Sequence, residues 1–132
     1  MNDLRAKGLD VIRRVLGEGY FKKRQASLST FNGGLRALTE EYCFGAIWTR
    51  PGLQPKTRSM ILLGMLTALG KTTELKMHVI GAINNGCSVT EIEEVLLQAT
   101  VYCGVPAGVD AFRNAEQALQ ELGLVQPVAA AQ

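Results

Sequence analysis

At 132 residues the chain is long enough for one domain with a real core, although alone it would bury only about two-thirds of its unfolded surface. Apolar residues make up 47% of it, which excludes a disordered chain. Fourteen Lys and Arg stand against twelve Asp and Glu, a net charge of +2, so no global field points to nucleic acid or a membrane surface.

The first predicted helix carries Leu4, Val11, Ile12, Val15 and Leu16 on one stripe and stops at Gly17. A loop is expected next, holding Gly19 and the basic run Lys22-Lys23-Arg24, which reads as a solvated segment rather than a phosphate site. A second helix is expected to start around Ser27–Ser29, with Phe31, Leu35, Leu38 and Tyr42 on its apolar face. It ends near Trp48-Thr49-Arg50-Pro51-Gly52, because residues before proline avoid the α region. Pro55 opens a third helix that runs to Leu69 and closes at Gly70. Met60 to Leu69 is apolar nearly all round, so that helix must be covered on most sides, and a neighbouring subunit is the expected cover.

Thr72 or Thr73 is expected to cap a fourth helix, closed by Gly86. Ser88…Glu91 and Thr90…Glu93 both fit a capping box for a fifth helix, which carries Ile92, Val95, Leu96, Ala99 and Cys103. Gly104-Val105-Pro106 breaks it. A sixth helix runs from about Ala107 to Leu122 and ends at Gly123. The expected architecture is all-α, about six helices in a single domain over residues 1–124, with a frayed tail over 125–132.

The N-terminus runs into charges with no apolar stretch of signal-peptide type, and Met60–Leu69 is too short to span a bilayer, so a cytoplasmic protein is expected. Cys43, Cys87 and Cys103 are far apart and the chain has one histidine, so no structural zinc site is expected and the thiols read as reduced. Gly104-Val105-Pro106-Ala107-Gly108 has neither phosphate-loop nor dinucleotide spacing.

Glu74 and His78 are four apart on a predicted helix and so share a face, with Asn85 close to the same stripe. A carboxylate beside an imidazole can tune it for proton transfer near neutral pH, although spacing alone favours a surface pair. Arg50 and Arg58 flank the Pro-Gly turn and could grip carboxylates, or merely cap a helix and keep it soluble. Trp48 reads as core or interface packing, Tyr102 as a pocket hydroxyl or a buried tyrosine.

Several separated segments carry a wider resemblance: Trp48-Thr49-Arg50-Pro51-Gly52-Leu53, Arg58-Ser59, Glu74-Leu75-Lys76-Met77-His78, Asn84-Asn85-Gly86, Glu91 to Gln98, and Tyr102-Cys103-Gly104-Val105-Pro106-Ala107. Together, over about residues 8 to 120, the chain resembles the γ-carboxymuconolactone decarboxylase family. The resemblance implies the helical fold shared with alkylhydroperoxidase D, assembled into homo-oligomeric trimers or hexamers. It implies a decarboxylase of aromatic catabolism that converts 4-carboxymuconolactone to the enol-lactone of 3-oxoadipate. The substrate's conjugated carbonyl is the electron sink, so no cofactor or metal is expected.

The resemblance further implies proton handling by Glu74 and His78, binding of carboxylates or the oxyanion by Arg50 and Arg58, and a pocket lined by Trp48, Tyr102 and Cys103. In the peroxidase branch a Cys-x-x-Cys precedes the histidine. Aligned on His78, its thiols fall where this chain has Lys71 and Glu74, so a disulfide cycle cannot run there. The chain departs from its relatives at Tyr20, at Lys71, at Phe44-Gly45 and at Gly108-Val109-Asp110, which bears on the substrate more than on the fold. The two rival readings are a thiol-dependent peroxidase and a non-enzymatic oligomer that binds a small carboxylate.

Overall fold

The computed structural model describes residues 2–129, and among these every regular element is a helix. They form two compact units, which divide after Arg58.

In the first unit, α1 (Asp3–Leu16) begins at Asn2, whose side chain accepts the Arg5 N–H at 2.8 Å. Its stripe Val11, Ile12, Val15 and Leu16 is buried, as the spacing predicts, whereas Leu4 is exposed. Gly17, at φ 93°, ends it in a conformation that only glycine adopts readily. The loop expected next is instead helix α2 (Glu18–Ala26). Tyr20 to Ala26 contains neither Gly nor Pro, and Lys23 and Arg24 lie in the last turn, where cations complement the helix dipole. Only Phe21 is buried, with the Arg13 guanidinium 4.2 Å above its ring, so the segment lacks the apolar stripe that marks a helix in sequence.

The second predicted helix starts later than expected. Ser29 N–H donates to Asn32 Oδ1 at 2.8 Å and Asn32 Nδ2 donates to the Ser27 carbonyl at 2.9 Å, which holds 27–32 as a turn. Helix α3 (Gly33–Leu38) then passes directly into a π-helix, π1 (Thr39–Ile47). From Thr39 on, the wider coil changes which positions share a face. Phe31, Leu35, Leu38 and Tyr42, expected to face a core, are exposed, and the buried positions are Glu40, Phe44 and Gly45.

The first unit is organised around Glu40, which is 2% exposed. Its carboxylate accepts from Arg5 Nε at 3.0 Å and Arg24 Nη1 at 2.9 Å. A buried carboxylate is tolerated only when paired this way. α1 packs on π1 at backbone distance. A Cβ on Gly8 would sit 1.7 Å from the Glu40 carbonyl oxygen, and one on Gly45 would sit 2.3 Å from the Leu4 carbonyl oxygen.

α4 (Pro55–Leu69) runs across the division between the units. In the second unit Leu63 and Leu66 join the core built by α5 (Thr72–Asn84), α6 (Val89–Cys103) and α7 (Val105–Glu121), with Leu75, Val79, Ile92, Leu96, Ala115 and Leu119. α5 and α6 both pack on α7. The α6 start is the Ser88–Glu91 capping box and not the Thr90–Glu93 alternative: Glu91 N–H donates to Ser88 Oγ and Ser88 N–H to Glu91 Oε1. α5 is capped by Lys71 with no side-chain bond, so neither Thr72 nor Thr73 serves as its cap. α7 starts at Val105, two residues before the expected Ala107, because Pro106 fits its first turn. Val125 packs on the core, residues 125–129 have no regular structure, and the rest of the expected frayed tail, 130–132, lies outside the described residues.

Candidate active site

The local sequence places an acid and an imidazole on one face of α5. Glu74 lies in the first turn, where the helix dipole favours a carboxylate, and it is exposed. His78 follows one turn later and is only 7% exposed. Burial pushes the His78 pKa down to about 4, because an imidazolium loses its hydration there, and the negative charge of Glu74 opposes that shift without overcoming it. At neutral pH His78 is therefore a neutral imidazole within reach of an ionised neighbour's field. Gly81 and Ala82, both buried, continue the α5 face without bulky side chains.

At the far end of α5, Asn85 is the C-cap residue and its Nδ2 donates to Ser59 Oγ at 2.9 Å. Ser59 is fully buried in the first half of α4. This polar pair is only half-visible in sequence: Asn85 lies two turns from His78, but nothing in the spacing joins it to Ser59. The only signal is a serine opening an otherwise apolar run.

The remaining candidates lie elsewhere. In the first unit, Trp48 follows π1 and stacks on Phe44, with centroids 5.9 Å apart and planes at 21°, so it packs as an aromatic pair. The Arg50 side chain is exposed, and its carbonyl accepts from Arg58 Nη2 at 3.1 Å. Arg58 Nε is shielded from solvent and has no hydrogen-bond acceptor among the described residues. Tyr102 is 84% exposed and Cys103 is exposed beside it in the last turn of α6, so within one chain neither lines an enclosed pocket and the buried-tyrosine alternative does not hold.

The departure at Gly108-Val109-Asp110 lies at the start of α7. A Cβ on Gly108 would sit 2.1 Å from Thr100 Oγ1, so the glycine lets α7 pass close to a β-branched residue of α6. Asp110 is exposed and pairs with Arg113 at 3.4 Å. Both concern the α6–α7 contact and the outer face of α7. A cavity of about 130 Å³ between α6 and α7, lined by Ile92, Leu96, Phe112 and Leu119 among others, contains none of the candidate residues. Among the described residues no three His, Cys, Asp or Glu side chains cluster as metal ligands, and no helix is long and apolar enough to cross a membrane.

An all-helical protein that sets a buried neutral imidazole one turn from a carboxylate has the constitution of an acid–base site. Comparison with known proteins gives the class a name. The sequence model of the carboxymuconolactone decarboxylase family matches residues 34–117, and the chain belongs to that family. It is 36% identical over 118 residues to the 4-carboxymuconolactone decarboxylase of Acinetobacter baylyi, covering 89% of this chain and 88% of the relative. It is 34% identical over 116 residues to a nitrosuccinic acid decarboxylase of Metarhizium robertsii, covering 88% and 81%.

Proposed function

We propose that this chain is a cofactor-independent carboxy-lyase that removes one carboxylate from a succinate carrying an electron-withdrawing group on the same carbon, with 4-carboxymuconolactone as the first substrate to test. Two relatives of similar identity are named for decarboxylases of different compounds, which supports decarboxylation as the activity. The two compounds share a skeleton. In nitrosuccinate the carbon that bears the leaving carboxylate also bears a nitro group and a CH₂–COO⁻ arm. In 4-carboxymuconolactone the corresponding carbon bears a conjugated unsaturated lactone and the same arm. Either acceptor can take up the electron pair that carbon dioxide leaves behind.

The chemistry then needs three things. The C–CO₂⁻ bond breaks and its electrons move onto acceptor oxygens, forming a dienolate or nitronate. The new oxyanion must be stabilised, and one proton must reach carbon. His78 is the observation that carries this reading. It is a neutral imidazole shielded from water, so it can donate an N–H to an oxyanion, as burial makes such donors effective. A bound dicarboxylate adds negative charge, which raises the imidazole pKa and favours uptake of the proton that the product consumes. Glu74, on the same face, favours the charged imidazolium and thus helps the uptake.

The same reading includes a homo-oligomer. Ile61, Met65 and Leu69 recur along one edge of α4 and are 43%, 55% and 68% exposed in the single chain, which is the pattern of a face that another subunit covers. The peroxidase alternative is weakened by Lys71 and Glu74 standing where two thiols are needed. Cys43, half-buried, has its thiol pushed up by burial, which disfavours the reactive thiolate. A decarboxylation assay with 4-carboxymuconolactone and with nitrosuccinate tests the proposal. Carbon dioxide release from either supports the reaction class, and the ratio of the two kcat/KM values identifies the acceptor. No release from either would remove the activity.

A further inference from the structure

We propose that the cavity between α6 and α7 is a binding site for a small organic cation with an apolar body about the size of one ring. The proposal goes beyond the decarboxylase reading and does not depend on it. Every residue it uses belongs to the second unit.

The cavity holds about 130 Å³. An apolar cavity of roughly 150 Å³ is enough to take up benzene. Ile92 and Leu96 from α6 and Phe112, Ala115 and Leu119 from α7 line it, and all five belong to the buried core or pack against it. Filling such a space adds dispersion contacts that its walls otherwise lack. The end of α7 supplies a further wall. Gly123, at φ 73°, turns the chain out of the helix, and Leu124 N–H donates to the Leu119 carbonyl at 2.9 Å. Val125 then packs back on the core and lines the cavity. It opens a segment, 125–129, without regular structure, so a ligand can enter past it while every helix stays closed.

Charge selects the ligand. The cavity is also lined by Glu93 of α6 and Glu116 of α7, both exposed, and by no Lys or Arg. Glu116 accepts from Gln120 Nε2 at 3.2 Å, a neutral amide that leaves the carboxylate its charge. Two carboxylates beside an apolar, partly aromatic wall suit an ammonium group on a hydrocarbon body. The same pair repels carboxylates, so a dicarboxylate substrate does not fit here.

Amide NMR titration of the full chain with benzylammonium, benzyl alcohol and benzoate tests the proposal, since the three share a ring and differ in charge. Benzylammonium should shift the resonances of Ile92, Phe112 and Leu119 saturably. Benzyl alcohol should move the same resonances with an affinity weaker by on the order of tenfold, the scale of an ammonium facing two partly hydrated carboxylates, and benzoate should move none. In the Glu93→Gln/Glu116→Gln double variant the ammonium should bind no better than the alcohol, while the alcohol keeps its affinity. Ala115→Leu, which fills the space, should abolish binding of both. The glutamine changes lie on exposed side chains, so they still decide the matter if the leucine variant fails to fold. No saturable shift with benzylammonium, equal affinities of ammonium and alcohol for wild type, or an ammonium preference that survives in the double variant would each overturn the proposal. Shifts centred on α5 rather than on α6 and α7, or undiminished binding to folded Ala115→Leu, would overturn it too.

Discussion

His78 shows what burial does to a titratable group. Its pKa of about 4 lies below the ordinary histidine value of 6.5, so in the unfolded chain it binds a proton more readily than in the folded one. Folding stability contributed by the neutral ring is fully present above pH 6.5 and is lost as pH falls toward 4, by roughly 3 kcal/mol at most. Replacement by glutamine should flatten the acid side of the stability profile between those limits, read by denaturant midpoints at several pH values. An unchanged slope would place His78 in water. Because the chain has one histidine, its imidazole resonance can be followed directly by NMR. It should titrate near pH 4 in the free protein and move upward when a dicarboxylate analogue binds. His78→Ala and Glu74→Gln should each lower turnover by about two orders of magnitude or more, the usual scale of a general acid–base group. The Glu74–His78 pairing is legible in sequence because helix geometry fixes which residues share a face. The depth of His78 is not, because spacing fixes direction along a helix and not what packs over it.

At the scale of elements, the helices with strong local signals form where sequence places them. α1 and α6 each have a side-chain cap, a buried stripe and a glycine stop. The segment between α1 and the Pro-Gly turn departs from its sequence reading for physical reasons. α2 has no apolar stripe to betray it, and π1 replaces the 3.6-residue period on which that reading depends. The π-helix buries Glu40 because Arg5 and Arg24, 35 and 16 residues away, meet it. No local pattern announces a contact of that range. Glu40→Gln should destabilise the protein by about 3 kcal/mol, the scale for breaking a buried ion pair. Gly8→Ala should be as damaging, since the new methyl meets the Glu40 backbone. Ser88→Ala should cost about 1 kcal/mol, a lost helix cap. Chemical denaturation ranks the three, and a Gly8→Ala variant as stable as wild type would contradict the close α1–π1 approach.

For the whole molecule, a nearly all-apolar α4 is expected from sequence to need a cover, and the proposed homo-oligomer would supply one. Leu63 and Leu66 are buried within the single chain, while Ile61, Met65 and Leu69 remain exposed. Met65→Glu should therefore shift the protein toward monomers in sedimentation, and an unchanged mass would move the subunit contact to another face. Family membership, carried by many separated segments, points to the reaction class more surely than any residue pair does, since each pair also has an ordinary structural explanation. The most direct measurement is carbon dioxide release from 4-carboxymuconolactone by the folded wild-type protein without added metal or cofactor. The proposed chemistry predicts one carbon dioxide per lactone consumed, one proton taken up and the enol-lactone of 3-oxoadipate as product, with release slowed by about two orders of magnitude or more in His78→Ala. Release no faster than the spontaneous rate, or equal rates from wild type and His78→Ala, would contradict it.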